Sequence, residues 1–160
     1  MSVLSIKKAT VADAALILKF IKELAHYEKA ENEVLATEAD IKSSLFGQNT
    51  TTNAVICSID NKPIGFAVYF FNYSTWLGKN GLYLEDLYVS PAHRNVGAGK
   101  ALLKHLANIA LAKNCGRFEW SVLDWNEPAI KFYQSLGAEP QNEWVSYRLS
   151  GQALESFAKS

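Results

Sequence analysis

Residues 90 to 100 read SPAHRNVGAGK, and their types and spacing invite chemistry. Gly97 and Gly99 lack the Cβ that would hold a ligand off the backbone, and they fall where a strand-like run gives way to a helical one. The first N–H groups of a helix have no intrahelical acceptor, and the helix dipole adds to their pull, so such a place suits a phosphate. Arg94 and Lys100 can add charge-assisted contacts. A tight strand-to-helix turn that binds nothing is the plain alternative for Gly-x-Gly alone. Just upstream, Glu85 and Asp86 stand side by side in GLYLEDLYVS. On a regular strand they point to opposite faces, so only one is expected to reach a site there. Glu23, Glu28, Glu31 and Glu33 gather at a helix end, either to attract a cation or simply as a solvated surface.

Other chemistries find less support. A Walker loop needs Gly five positions before Gly99 and Ser or Thr after the Lys, where this chain has Arg94 and Ala101. A Rossmann fingerprint wants a third small residue at Leu102, and Glu119, at the distance of the ribose acid, falls inside a strand rather than at its end. His26, His93 and His105 lack metal-binding spacing, and no metal is assigned. Cys57 and Cys115 make neither a disulfide framework nor a zinc site and read as incidental thiols.

The 160 residues suffice for one domain, and no linker-like stretch divides them, so a single domain over 1–160 is expected. Lys plus Arg and Asp plus Glu number 16 each, which argues against a broad basic face for nucleic acid. Apolar runs break well before the roughly 18 residues of a membrane helix, and the N-terminus lacks a signal-peptide pattern, so a cytoplasmic location is expected.

The elements that must position these residues follow from periodicity. VLSIKKAT opens with a strand. Leu16, Ile17, Phe20, Ile21 and Leu24 recur at helix spacing, with Thr10 or Asp13 as cap. Thr37 with Asp40 forms a capping box before a shorter helix. TTNAVICSID and PIGFAVYFFNYS flank a turn and predict a hairpin, followed by the GLYLEDLYVS strand and a long helix stopped by Gly116. RFEWSVL reads as a strand, NEPAIKFYQSLG as a helix capped by Asn126 with Gly137 past its end, and EWVSYRL as a last strand. This order implies an α/β sandwich with a mixed sheet. Trp76 and Trp125 read more readily as core than as pocket walls.

The third nucleotide motif to compete for the loop is R-x-x-G-x-G, met by RNVGAG. The stretch YLEDLYVSPAHRNVGAGKALL resembles the cofactor segment of the GNAT (GCN5-related) N-acetyltransferases, and WNEPAIKFYQSLGA resembles their second segment, with Asn126, Ala129, Phe132, Tyr133 and Gly137. The resemblance implies the acyl-CoA N-acyltransferase fold, a mixed twisted sheet flanked by helices, with acetyl-CoA as co-substrate and direct attack by an amine in a ternary complex. It implies that Leu87, Tyr88 and Val89 present backbone to the pantetheine arm, that Arg94, Asn95, Val96, Gly97, Ala98, Gly99 and Lys100 cradle the pyrophosphate, and that Asn126 and Tyr133 complete the cofactor site. Asn95 stands at a place more often Gly or Arg. Tyr133 takes the role of acid for the leaving sulfur, and Glu85 that of base through a water.

FIKELAHYEKAENEV, STWLGKNGLYLEDLYV and LDWNEPAIKFYQSLGA are similar to the diamine (spermidine/spermine) acetyltransferases and the thialysine-type branch beside them. In that branch Tyr27, Glu28, Glu85 and a late Glu, here Glu143, line the pocket for a cationic amine, and the subunits pair as homodimers. Acetylation of protein N-termini or another amine, and a catalytically silent acyl-CoA sensor, stand as alternatives.

Overall fold

The computed structural model describes residues 2–160, which fall into two compact units, one ending at Ser121 and one running Val122–Ser160. The first unit holds a five-stranded sheet in the order β1 (Leu4–Lys8), β2 (Thr52–Ile59), β3 (Lys62–Ser74), β4 (Lys79–Val89) and β5 (Arg117–Trp120). Neighbours run antiparallel except β4 and β5, which are parallel. The sheet is mixed, as expected. Its hairpin turn is Asp60–Asn61, both at positive φ (48° and 67°), conformations that Asp and Asn tolerate better than most residues.

The helices of this unit are α1 (Ala14–Tyr27), α2 (Glu38–Phe46) and α3 (Ala98–Ala112). Their ends follow local chemistry. The Thr37 hydroxyl accepts the Asp40 N–H at 3.2 Å while the Asp40 carboxylate accepts the Thr37 N–H at 2.8 Å, which is the expected capping box. Helix α3 does not run on to Gly116. Its last residue is Ala112, and Asn114, at φ 56°, closes it, with Cys115 N–H donating to Ala110 O at 2.8 Å and Asn114 N–H to Leu111 O at 3.0 Å, a Schellman closure in which Asn takes the left-handed position.

Ile17 and Phe20 of α1, Ile41 of α2, Ala54 and Ile56 of β2, Phe66 and Val68 of β3 and Tyr88 of β4 form one buried cluster. Phe20 stacks on Phe66 with centroids 5.6 Å apart and lies 5.9 Å from Tyr88. Phe20, Glu23 and Tyr27 stand at i, i+3 and i+7, so packing Phe20 against the sheet brings Glu23 and Tyr27 onto the same stripe of α1. Gly65 lets β3 approach β4 here: a Cβ on it would meet Tyr88 O at 2.4 Å.

Strand β4 carries a bulge. Val68 pairs with Asp86 but Tyr69 pairs with Leu84, leaving Glu85 as an extra residue without a partner on β3. The side-chain alternation therefore inverts. Leu82 and Leu84 pair with Phe71 and Tyr69 on one face, whereas Asp86 and Tyr88 pair with Val68 and Phe66 on the face covered by α1 and α2. The regular alternation assumed for this strand is interrupted between Leu84 and Asp86 for this reason.

The second unit contains α4 (Glu127–Ser135) and α5 (Gly151–Ala158). Asn126 caps α4, its Oδ1 accepting the Ala129 N–H at 3.4 Å, and Gly137 follows at φ 90°. The expected strand EWVSYRL is absent: Glu143–Leu149 has no regular structure and is exposed throughout. Its alternation suits a strand, but a strand exists only where an edge pairs with it, and none is paired with it here. Instead the sequence closes in α5, which was not foreseen. Trp76 and Trp125 are surface residues, 87% and 45% exposed, and not core.

Candidate active site

Strand β5 accompanies β4 only from Gly81 to Leu84, so from Glu85 to Val89 the β5-side edge of β4 has no strand beside it among the paired residues of this unit. Backbone N–H and C=O groups are thereby left available to an extended ligand, as an edge strand would offer them. Leu87 and Val89 lie on this stretch on either side of Tyr88, whose ring is buried against α1 and whose carbonyl faces β3.

Beyond Val89 the chain makes one 3-10 turn, Pro91–His93, braced by a 2.9 Å hydrogen bond between Ser90 Oγ and His93 Nδ1. The next residues supply two left-handed conformations, Asn95 at φ 68° and Gly97 at φ 83°. Asn tolerates this region through its short polar side chain, which suits Asn95 to this turn. Gly97 is the N-cap of α3, and Ala98, Gly99 and Lys100 form the first turn. Gly99 differs from Gly97 in a telling way. Its φ is ordinary, and a Cβ built on it would meet nothing within 4 Å, so neither turn geometry nor packing calls for glycine there. A ligand lying against the helix start would call for it. The loop residues thus fit a diphosphate on the chain's own geometry.

Arg94 takes an unexpected direction. Its Nε donates to Val89 O at 3.2 Å, and its guanidinium carbon sits 5.0 Å from the Tyr27 ring centroid and 6.0 Å from that of Tyr88. The Tyr88 hydroxyl donates in turn to Glu23 Oε1 at 3.3 Å, a contact no sequence pattern suggested.

Below this lies a carboxylate cluster. Burial, then the charge of Glu85, then that of Glu28 push the Asp86 carboxyl up from 3.8 to about 6. Glu28, at the C-terminal end of α1, is also raised, by burial. The structure therefore brings together Tyr27, Glu28, Glu85 and Asp86 with the Arg94–Lys100 loop within the first unit. It leaves Asn126, Tyr133 and Glu143 in the second unit: Tyr133 half-buried on α4 with its ring 5.8 Å from that of Phe132, and Glu143 in the exposed irregular segment.

The acetyltransferase (GNAT) family profile matches residues 19–138, and that range takes in both the loop and α4. The chain belongs to this family. Over 164 residues it is 38% identical to the thialysine N-epsilon-acetyltransferase of Sus scrofa, covering 96% of each chain. It is 29% identical to an L-ornithine N5-acetyltransferase of Arabidopsis thaliana, covering 96% of this chain and 87% of the relative. Among solved structures, an integron cassette protein from the mobile metagenome of V. cholerae superposes with a TM-score of 0.82 at 32% identity, over 98% of each chain. As a GNAT protein the chain is an acetyltransferase, of a family that uses acetyl-CoA as co-substrate. Among the described residues no His, Cys, Asp and Glu cluster suits a metal ion, and no helix is long and apolar enough to cross a membrane.

Proposed function

We propose that this GNAT enzyme acetylates the terminal amine of a small cationic metabolite, a diamine or a basic amino acid of the thialysine or ornithine kind. The observation that carries this reading is the grouping of Asp86 with Glu85 and Glu28, three carboxylates drawn from β4 and the end of α1 in a protein of zero formal charge. Placing like charges together where burial already disfavours ionisation is costly unless a cation relieves it. The relatives named for thialysine Nε and ornithine N5 act on terminal side-chain amines, which match that demand.

In this reading acetyl-CoA supplies the thioester. The backbone of Arg94–Gly99, with Lys100, holds the diphosphate, and the open edge of β4 at Leu87, Tyr88 and Val89 holds the extended arm. Val96 and Ala98 contribute through their backbone, and Asn126 through its place at the start of α4. An alkylamine, with a pKa near ~10, arrives protonated and must lose a proton before it attacks. Glu85, exposed on its bulge, accepts that proton through a water, while Tyr27, Glu28 and Glu143 hold the amine's remaining charge. Tyr133 delivers a proton to the departing sulfur as the C–S bond breaks. A cytoplasmic homodimer is the form in which we place this activity, and the exposed Val145, Tyr147 and Leu149 support a covered surface there.

A thiol-release assay with acetyl-CoA and a panel of thialysine, lysine, ornithine, putrescine, spermidine, an N-terminal peptide and an aminoglycoside tests the reading. The highest kcat/KM is expected on the small amines carrying a second charge. Preference for the peptide α-amine or the aminoglycoside would remove the proposed substrate class.

The cradle has its own test. Gly99→Ala places a methyl group in open space and favours the helix by about 1 kcal/mol, so thermal stability should rise slightly. Affinity for acetyl-CoA in calorimetry should nevertheless fall about tenfold, because the methyl intrudes where the diphosphate approaches. Stabilisation with unchanged affinity would reduce Gly99 to a turn residue.

A further inference from the structure

Arg94 reaches from the cofactor loop into the amine pocket. Its backbone belongs to the loop read as the diphosphate cradle, yet its side chain turns back to β4 and α1, with Nε on the Val89 carbonyl at 3.2 Å. The guanidinium lies between two rings, Tyr88 at 6.0 Å and Tyr27 at 5.0 Å. Tyr88 is fixed by burial and by its hydrogen bond to Glu23 at 3.3 Å. Tyr27, at the end of α1, is 39% exposed. A planar cation tethered at a carbonyl and set over this ring favours one orientation of it.

We propose that Arg94 is a positioning residue for amine recognition, holding the Tyr27 ring in place from the cofactor loop. The inference rests on Tyr27 lining the amine pocket. It gives Arg94 a role beside phosphate binding, because its Nε is committed to Val89 O and its guanidinium lies over the Tyr27 ring while the loop backbone is left to the diphosphate. It also ties the loop's conformation to the amine pocket, so that disturbing residue 94 alters selection of the second substrate.

The test is a double-mutant cycle with Arg94→Gln and Tyr27→Leu, read as amine KM at saturating acetyl-CoA, with acetyl-CoA KM and kcat recorded in parallel. Arg94→Gln is expected to raise amine KM about fivefold to tenfold, the scale of one cation–π contact. In the Tyr27→Leu background the same change should raise it no further, while any effect on acetyl-CoA KM persists in both backgrounds. Arg94→Lys, which keeps the charge and loses the planar face, should resemble Arg94→Gln in amine KM. Thermal melting confirms that each variant is folded. Equal effects of Arg94→Gln in the two backgrounds, or wild-type amine KM in Arg94→Lys, would overturn the proposal. If Tyr27→Leu leaves amine KM unchanged, the pocket assignment itself falls and the proposal with it. If Tyr27→Leu raises amine KM but Arg94→Gln does not, the proposal alone falls.

Discussion

Tyr133→Phe should lower kcat by about 10²- to 10⁴-fold, the range of a positioned acid, while acetyl-CoA binds within about twofold of wild type. Attack on a thioester expels a thiolate, whose charge a positioned acid neutralises as it forms. A tyrosine near ~10 donates to a thiol near ~8.5 at a cost of about 2 kcal/mol, small beside the gain from a positioned acid. Phenylalanine keeps the ring that lies 5.8 Å from Phe132 on α4, so helix packing is conserved and the missing atom is the hydroxyl alone. Measured as single-turnover thiol release beside calorimetric acetyl-CoA affinity, the change separates chemistry from binding. Unaltered turnover would make Tyr133 a packing aromatic and leave the sulfur to be protonated by solvent.

How far such a site can be read from a sequence depends on whether the deciding interactions are local. The Thr37–Asp40 box, the Asp60–Asn61 turn, the Asn126 cap and the place of residues 94–99 at the entry to α3 each resolve within a few residues, and the sequence reads these local features correctly. The long helix is closed at Asn114, two residues before the glycine that suggested its stop, because Asn can also take the left-handed position. The bulge at Glu85 is different. It is set by the register of β3 against β4, where one unpaired residue exchanges the faces of everything beyond it, and nothing within LEDLY announces it. The surroundings of Asp86 are equally non-local, since its neighbour Glu28 lies at the end of α1, far away along the chain. Segment 143–149 fails for the converse reason: its alternation is local, whereas strand formation is not.

Because the bulge returns Asp86 to the α1 side, this carboxylate carries the second large prediction. Its folded value, about 6, lies above the ordinary 3.8, so folding favours the protonated form. The sign follows from linkage: this contribution is fully present below about 3.8 and is lost as the pH rises through about 6. At pH 7 the ionised group costs on the order of 2 kcal/mol, taking ~1.4 kcal/mol per pKa unit and allowing for partial solvation. Asp86→Asn should therefore be more stable than wild type at pH 7 by about that amount, with the difference vanishing as denaturation is repeated toward pH 4. The same charge is what attracts the amine, so the stabilised variant should show an amine KM raised about tenfold or more at unchanged acetyl-CoA KM. In wild type, kcat/KM for the amine should fall as the pH drops below about 6, and in Asp86→Asn this limb should disappear. A variant that is less stable at pH 7 and keeps its amine KM would show that Asp86 braces the bulge and has no part in recognition. The expected pairing, greater stability with poorer amine binding, is the mark of a charge retained for its ligand against the preference of the fold.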